Sequence, residues 1–472
     1  MVFSSYRFIF AFFPVVFAVF AVLRALKKPI LVKIWLALAS LAFYALGQPE
    51  FFAVFLGSVL FNHLLAFVIS KNGEKKALGT ALMLVSVAEN IGLLVYFKYT
   101  NFIIQNINRV FGSGISPLKL ILPIGISFFT FQILAFTVSV WKKETKCPSL
   151  LDYMLFITFF PQLIVGPVVL HDELVPQIEG DRLLSFDKGD IMRGILLFSI
   201  GAAKKVVLAN PMINYATAFY TGDIAAFSQS ETWLGVISFT FAYYFDFSGY
   251  IDMARGLGML FGVRLPINFD SPYKATDFAD FWRRWNMTVS RFFDRTIFNN
   301  VFHFGDGIFK MMLAVMATFL VSGIWHGAAW HFVIWGAVNG ILVIIANLIS
   351  LYGVKIPRAV GACVTFVTMM LVRVLFDAER MTDALLVYRK LFTGFDISSL
   401  ALTLKSNVPL VSVICLSALI CFFTKNSNDI CGGADKSDRP EMKLRHIILA
   451  AALLVLSLVN MSSVSTFLYF SF

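Results

Sequence analysis

Apolar runs, many of them reaching the ~18–20 residues that cross a bilayer as a helix, recur along almost the whole of this 472-residue chain. They are Phe8–Leu23, Ile34–Leu46, Phe51–Ile69, Ala77–Phe97, Leu118–Trp141, Leu151–Leu170, Ile191–Val207, Trp233–Val263, Gly307–Ile324, Ala328–Leu351, Ala359–Leu375, Val408–Phe423 and Ile447–Phe470. A helix needs about 20 mostly apolar residues to span a hydrocarbon core ~30 Å thick. The runs therefore predict an all-α, polytopic membrane bundle of about 11–13 spanning or re-entrant helices. With 58% apolar and 14% charged residues, 52 of them Phe, the chain cannot cover itself with a water-soluble surface, for which roughly 25% charged residues is usual.

No Pro/Ser-rich linker separates the runs, so residues 1–472 are expected to form one intramembrane domain, with a polar loop over 425–443 that contains the pair Gly432/Gly433. The first run resembles the core of a signal peptide. Its basic cluster (Arg24, Lys27, Lys28, Lys33) follows the run, however, and no small-residue cleavage pattern appears, so the run is expected to remain as a span. Basic clusters after the first, third and fifth runs (Arg24/Lys27/Lys28, Lys71/Lys75/Lys76, Lys142/Lys143/Lys146) place those loops in the cytoplasm and Met1 outside. The net charge of +11 thus sits beside apolar runs, where anionic headgroups attract it; lipid is the expected partner and nucleic acid is not. Cys147, Cys363, Cys415, Cys421 and Cys431 show neither metal nor redox spacing.

Residues 277–298, DFADFWRRWNMTVSRFFDRTIF, carry too many charges for a span and too many aromatics for a loop. At 100° per residue, Trp282, Trp285, Val289, Phe292, Phe293 and Thr296 fall on one stripe, with Arg283, Arg284, Ser290, Arg291, Asp294 and Arg295 opposite. The pattern predicts an amphipathic helix at the interface or re-entering the membrane, an anchor that by itself demands no chemistry. Asn286 falls at the edge of the aromatic stripe, where an unpaired amide costs roughly 1–3 kcal/mol. It should have a partner.

Of six histidines, His326 ends the run MMLAVMATFLVSGIW and is followed by Gly327, Ala328, Ala329 and Trp330. An ionisable group at the edge of a span is a functional hypothesis by default. A neutral imidazole in an apolar setting can accept a proton from an alcohol; a structural hydrogen bond and an ion path remain open beside that reading. His331 lies about 140° further round a helix, which argues against a two-histidine metal site. Further polar groups (Gln132, Gln162, Asp246, Ser248, Tyr250, Asp252, Arg255, Asn268, Asp270) imply a hydrated interior or a closed network. Proton-coupled transport competes on these residues.

Eight stretches, in order, resemble the membrane-bound O-acyltransferase (MBOAT) family, in particular the bacterial branch of alginate O-acetylation and teichoic-acid D-alanylation proteins. They are MVFSSYRFIF, FYALGQPEFF, LVYFKYTNF, LPIGISFFTFQ, FFPQLIVGPVV, FDFSGYIDMARGLGMLFGVRLPINFDSPY, FWRRWNMTVSRF and SGIWHGAAWHFVIWGAVNG. The resemblance implies helices around an intramembrane tunnel, His326 as the catalytic residue with Asn286 beside it, and Trp282, Trp285, Trp325, Trp330, Gln132, Asp246 and Tyr250 as candidates for the tunnel. It implies no bound cofactor or metal, but an acyl thioester donor, acetyl-CoA or a carrier-protein thioester. The acyl group would cross a bacterial cytoplasmic membrane to hydroxyls of an envelope polysaccharide or of a partner protein. The implied partners are an acyl carrier protein inside and an esterase-like or acyltransferase protein outside. The chain departs from that branch at RWNMTVS, where the branch reads RWHMTLS; at NNVFHFGDG, usually a Gly-rich stretch; and at Leu170 and Ser139, which stand for Arg and Asp. A transporter or channel, or a scaffold that conducts the acyl group without chemistry, is the alternative.

Overall fold

In the computed structural model every regular element among the described residues is a helix, and one isolated β-bridge there pairs Phe269 with Trp285. Described are residues 1–472 other than 73–74, 186, 304, 433–440, 462–467 and 469–472. Seven helices among them are long and apolar enough to cross a membrane: Phe8–Ala25, Pro29–Gly47, Pro49–Lys71, Lys76–Phe111, Ile308–His326, Trp330–Leu351 and Arg358–Asp377. An eighth crossing results if Ile397–Ser406 and Val408–Phe423, bent by 88°, act as one span. The chain is a polytopic membrane protein.

That is fewer long helices than the apolar runs suggest, for three physical reasons. The run 118–141 is helical only over Ile126–Trp141, because the chain first turns through Pro123 and Gly125, the latter at φ +77°. The run 151–170 breaks after Thr158 and resumes for one turn at Phe160–Leu163, beside Pro161 and Pro167. The run 233–263 lies in a helix, Gln229–Leu260, that carries Asp246, Asp252 and Arg255 and buries all three within protein. Protein, not lipid, is its solvent. The last run gives a helix over Leu444–Asn460, and residues 462–467 and 469–470 of that prediction lie outside the described residues.

Contacts divide the chain into two compact units. The first comprises Met1–Ser199, Tyr250–Pro266 and Ala434–Ala451. It holds α1 (Phe13–Ala25), α2 (Pro29–Gly47), α3 (Phe52–Lys71), α4 (Lys76–Leu94) and α5 (Ile126–Trp141). Buried rings of Phe3, Phe8, Phe43 and Phe160, with centroids 5.0–6.5 Å apart, form part of its core. Lipid gives apolar side chains no reason to leave it, so polar contacts must help join the spans. Asn62 of α3 does this, donating to Glu89 of α4 at 2.8 Å and accepting from Asn90 at 3.0 Å.

The second unit comprises Ile200–Gly249, Ile267–Gly433 and Ala452–Phe472. It contains the 229–249 part of α6 (Gln229–Leu260), then α7 (Phe278–Arg284), α8 (Met287–Phe293), α9 (Ile308–His326), α10 (Trp330–Leu351) and α11 (Arg358–Asp377). Helices α9 and α10 meet through glycine: a Cβ on Gly323 would stand 2.4 Å from the Phe332 carbonyl oxygen, and one on Gly336 would stand 2.4 Å from that of Phe319. Neither backbone oxygen can move aside, so only glycine allows this approach.

The expected helix over 277–298 is interrupted. Asp277 caps α7, accepting the Asp280 N–H at 2.7 Å. At Trp285 and Asn286 the helix stops; Asn286 takes φ +47°, ψ +48°, and the chain restarts as α8 and a π-turn over Asp294–Phe298. The cause is a competing backbone partner. Met287 N–H donates to the Asn268 carbonyl and Asp270 N–H to the Arg284 carbonyl, each at 3.0 Å. Trp285, Val289, Phe292 and Phe293 of the predicted stripe are still buried, whereas Thr296 is exposed. The predicted polar loop also differs over its described part: Ser427–Cys431 is a short helix capped by Asn426, with Ser427 and Cys431 buried. Asn426 donates to Asp270 (2.8 Å) and Ser271 (2.9 Å), and Asn428 to the Phe269 carbonyl (2.8 Å). Residues 433–440 of that loop lie outside the described residues.

Candidate active site

Within the second unit a cavity of about 460 Å³ is lined by α6, α7, α8, α9, α10, α11 and residue 267. That volume is in the range of small-molecule sites, roughly 300–1,000 Å³. One face of α9 runs along it: Val315, Thr318, Phe319, Ser322 and His326 all line the wall. At 1.5 Å rise per residue those positions cover about 16 Å. His326 stands at one end.

The imidazole is held by aromatic rings. Its centroid lies 4.7 Å from Trp325, 5.2 Å from Trp335 of α10 and 5.1 Å from Phe376 of α11, with interplanar angles of 61°, 85° and 79°. Edge-on rings at these distances fix its tilt and keep its surroundings apolar. The ring is partly exposed and opens on the cavity. Gly327 makes room behind it: a Cβ there would stand 1.9 Å from the Phe332 ring.

Asn286 lines the same cavity. Its Oδ1 accepts from Asn268 Nδ2 at 3.0 Å, which supplies the partner that its position in the sequence requires. Asn268 is itself fixed, because its Oδ1 accepts from the Thr288 N–H (3.0 Å) and hydroxyl (2.9 Å). With its oxygen occupied, Asn286 keeps its Nδ2 donors for the cavity; they have no partner among the described residues. Asparagine is among the side chains that best tolerate the left-handed backbone this position adopts.

Trp282 and Trp285 also line the cavity. Trp282 packs edge-on to Trp335 at 5.6 Å, and its buried Nε1 has no hydrogen-bond partner among the described residues. Trp285 stacks on Tyr243 at 5.8 Å and 8°. Trp325 stands behind His326, buried and outside the lining, and Trp330 is 55% exposed at the start of α10. Gln132, Asp246 and Tyr250 do not line this cavity. Gln132 donates to the Val169 carbonyl at 3.2 Å within the first unit, where Tyr250 also lies, stacked on Phe3 at 4.7 Å. Asp246, in the second unit, is buried, ion-paired with Lys205, and accepts the Leu468 N–H at 2.9 Å.

Two charged cavity residues, Asp294 and Arg373, are not among the candidates from the sequence, where Asp294 falls only on the charged face of the 277–298 pattern. Asp294 reaches solvent at the rim, yet desolvation by the surrounding protein raises its carboxyl above the ordinary aspartate range. Arg373 enters from α11, inside a run otherwise read as plain span. A lone arginine in VTMMLVRVLF is a signal of the kind that singled out His326.

Residues 80–367 match the MBOAT, membrane-bound O-acyltransferase family. The chain is 33% identical to a peptidoglycan O-acetyltransferase of Helicobacter pylori, over 100% of this chain and 98% of that one. It is 32% identical to a probable alginate O-acetylase of Pseudomonas aeruginosa, over 83% of this chain and 75% of that one. With a teichoic acid D-alanyltransferase of Streptococcus thermophilus it shares 26% identity over 54% of this chain and 68% of that one. His326 and Asn286 both fall inside the matched region, and this chain belongs to the membrane-bound O-acyltransferase family, in the bacterial branch that includes alginate O-acetylation and teichoic-acid D-alanylation proteins.

Proposed function

We propose that this protein transfers an acyl group, acetyl in the reading its relatives favour, from a thioester donor to hydroxyls of a cell-envelope polysaccharide, directly or through a partner protein. One observation carries the proposal: an imidazole and an amide donor, His326 and Asn286, open on one elongated cavity in a membrane protein of this family. Neutral His326 takes the proton of an acceptor hydroxyl as its oxygen attacks the thioester carbonyl carbon. The C–O bond forms, the C–S bond breaks, and the departing thiolate receives the proton from the imidazolium. Asn286 Nδ2 donates to the carbonyl oxygen, a contact that strengthens as negative charge develops there. The bound donor is substrate, acetyl-CoA or a carrier-protein thioester, and no resident cofactor enters the reaction.

In the same reading the protein sits in a bacterial cytoplasmic membrane with Met1 outside. Its carrier partner docks from the cytoplasm, and an esterase-like or acyltransferase partner receives the acyl group outside. Support for the polymer comes from the relatives, whose names specify peptidoglycan and alginate. The ion-path alternative gains nothing from the geometry, since Asp246 is held by Lys205.

Purified protein in nanodiscs, supplied with radiolabelled acetyl-CoA and oligosaccharide acceptors, should yield labelled ester. Loss of a general base costs ~10²–10⁴ in rate, so His326→Ala should abolish product while remaining folded. Turnover near wild type in that variant defeats the assignment. Flux of acyl donor without ester formation would favour the conducting scaffold.

A further inference from the structure

Arg373 does a second thing in the cavity that acyl transfer at His326 leaves unexplained. Its Nη2 and Nε each lie 3.3 Å from a different carboxylate oxygen of Asp377, one helical turn on. Its guanidinium carbon stands 3.5 Å from the centroid of the Tyr243 ring and 5.5 Å from that of Phe376. Phe376 is also the ring that packs 5.1 Å from His326. A fixed cation therefore stands on one side of Phe376 and the imidazole on another. Nη2 donates to Asp377 and a further side-chain hydrogen bond joins the guanidinium to Tyr243; with five N–H donors in the fork, others remain for the cavity that Arg373 lines.

A bare structural brace would not need this arrangement. Burying an Arg–Asp pair incurs a desolvation cost that apolar residues of similar volume avoid. Its carboxylate and aromatic partners hold the guanidinium plane still, which is the condition under which arginine discriminates planar oxyanions. The lining as a whole carries Arg283, Arg291 and Arg373 against Asp294 alone, an excess of positive charge.

We propose that Arg373 is a specificity-determining residue that binds an oxyanion of the substrate, a phosphate on the donor arm or a carboxylate on the sugar acceptor, one aromatic ring away from the reacting acyl group. The proposal rests on the acyl-transfer reading of the same cavity, but its test does not require turnover. Equilibrium binding to the full-length protein in nanodiscs is measured for two pairs of probes that differ in charge at one position: 4′-phosphopantetheine against pantetheine, and N-acetylmuramic acid against N-acetylglucosamine. Wild-type protein should prefer the charged member of one pair by about tenfold or more, the scale of a charge-assisted contact. The pair that shows the preference identifies the source of the oxyanion.

Arg373→Gln/Asp377→Asn, which removes both charges together, should erase the preference and leave binding of the neutral probe within about twofold. Arg373→Lys, which leaves no carboxylate unpaired, should retain part of it and serves as the readout if the double variant folds poorly. No preference in the wild type, or the same preference after the double substitution, overturns the proposal. Preference without ester formation in the labelled-acetyl assay would preserve it and remove the acyl-transfer reading instead.

Discussion

Substituting Asn286 separates what its backbone does from what its amide does. In Asn286→Ala the residue must hold φ +47°, ψ +48° with a Cβ and no local polar compensation, at a cost of about 1–2 kcal/mol. The change also deprives the buried Asn268 Nδ2 of the acceptor it reaches at 3.0 Å, and an orphaned buried donor costs about 1–3 kcal/mol. Together these give a loss of about 2–5 kcal/mol. Asn286→Gly orphans the same donor but relieves the backbone, so it should lose only about 1–3 kcal/mol. In Asn286→His a ring nitrogen can take over as acceptor and the residue type tolerates positive φ, so the loss should stay under about 1 kcal/mol. Equilibrium unfolding in mixed micelles, followed by tryptophan fluorescence, gives the three values. The order His, Gly, Ala from most to least stable is expected. Equal stability of the Gly and Ala variants would refute the backbone argument, and an Ala variant as stable as wild type would refute the hydrogen-bond argument as well.

Two further outcomes follow from the packing. A Cβ at Gly323 meets the Phe332 backbone oxygen and one at Gly327 meets the Phe332 ring; both alanine variants should therefore lose stability, but Phe332→Leu should rescue Gly327→Ala and not Gly323→Ala, as read from the unfolding midpoint. Burial pushes the Cys147 thiol up to about 11, and only the thiolate reacts, so maleimide labelling in the variant that keeps Cys147 alone should climb about tenfold per pH unit past pH 9; a plateau by pH 9 would contradict its burial.

Much of this arrangement was open to reading in the chain itself, and the exceptions share a cause. Spans such as 51–69 and 328–351 declare themselves because lipid selects side chains by solubility alone. Helix α6 misleads the same test: Asp246, Asp252 and Arg255 are enclosed by protein, so its composition reports neighbours that are distant in sequence. Gln132, Asp246 and Tyr250 imply by their polarity a hydrated interior or a closed network, yet none lines the cavity: Gln132 donates to the Val169 carbonyl, Asp246 pairs with Lys205, and the Tyr250 ring stacks on Phe3. Polarity within a span shows that a partner exists and not which one. Arg373 was hidden by the opposite bias, since one charge barely lowers the hydropathy of a 20-residue run.

The break at Asn286 shows most clearly where periodicity ceases to inform. A helical projection of residues 277–298 assumes that each backbone N–H bonds four residues back, and Met287 N–H bonds the Asn268 carbonyl instead. Nothing in RWNMTVS specifies that exchange, because the competing acceptor lies in NFDSPY, on the far side of a turn and of α7. Yet the exchange shapes the site: it ends α7, forces the left-handed residue, and leaves the amide of Asn286 with its oxygen tied to Asn268 and its nitrogen toward the cavity. The two segments therefore act as one element, and substitutions in Asn268 should disturb the cavity as much as those in Asn286. Asn268→Asp, which replaces the donor to Asn286 Oδ1 with a second acceptor, is the sharpest case. It should lose at least as much stability as Asn286→Gly, about 1–3 kcal/mol, and a variant that unfolds like wild type would show that the clasp does not hold the bend.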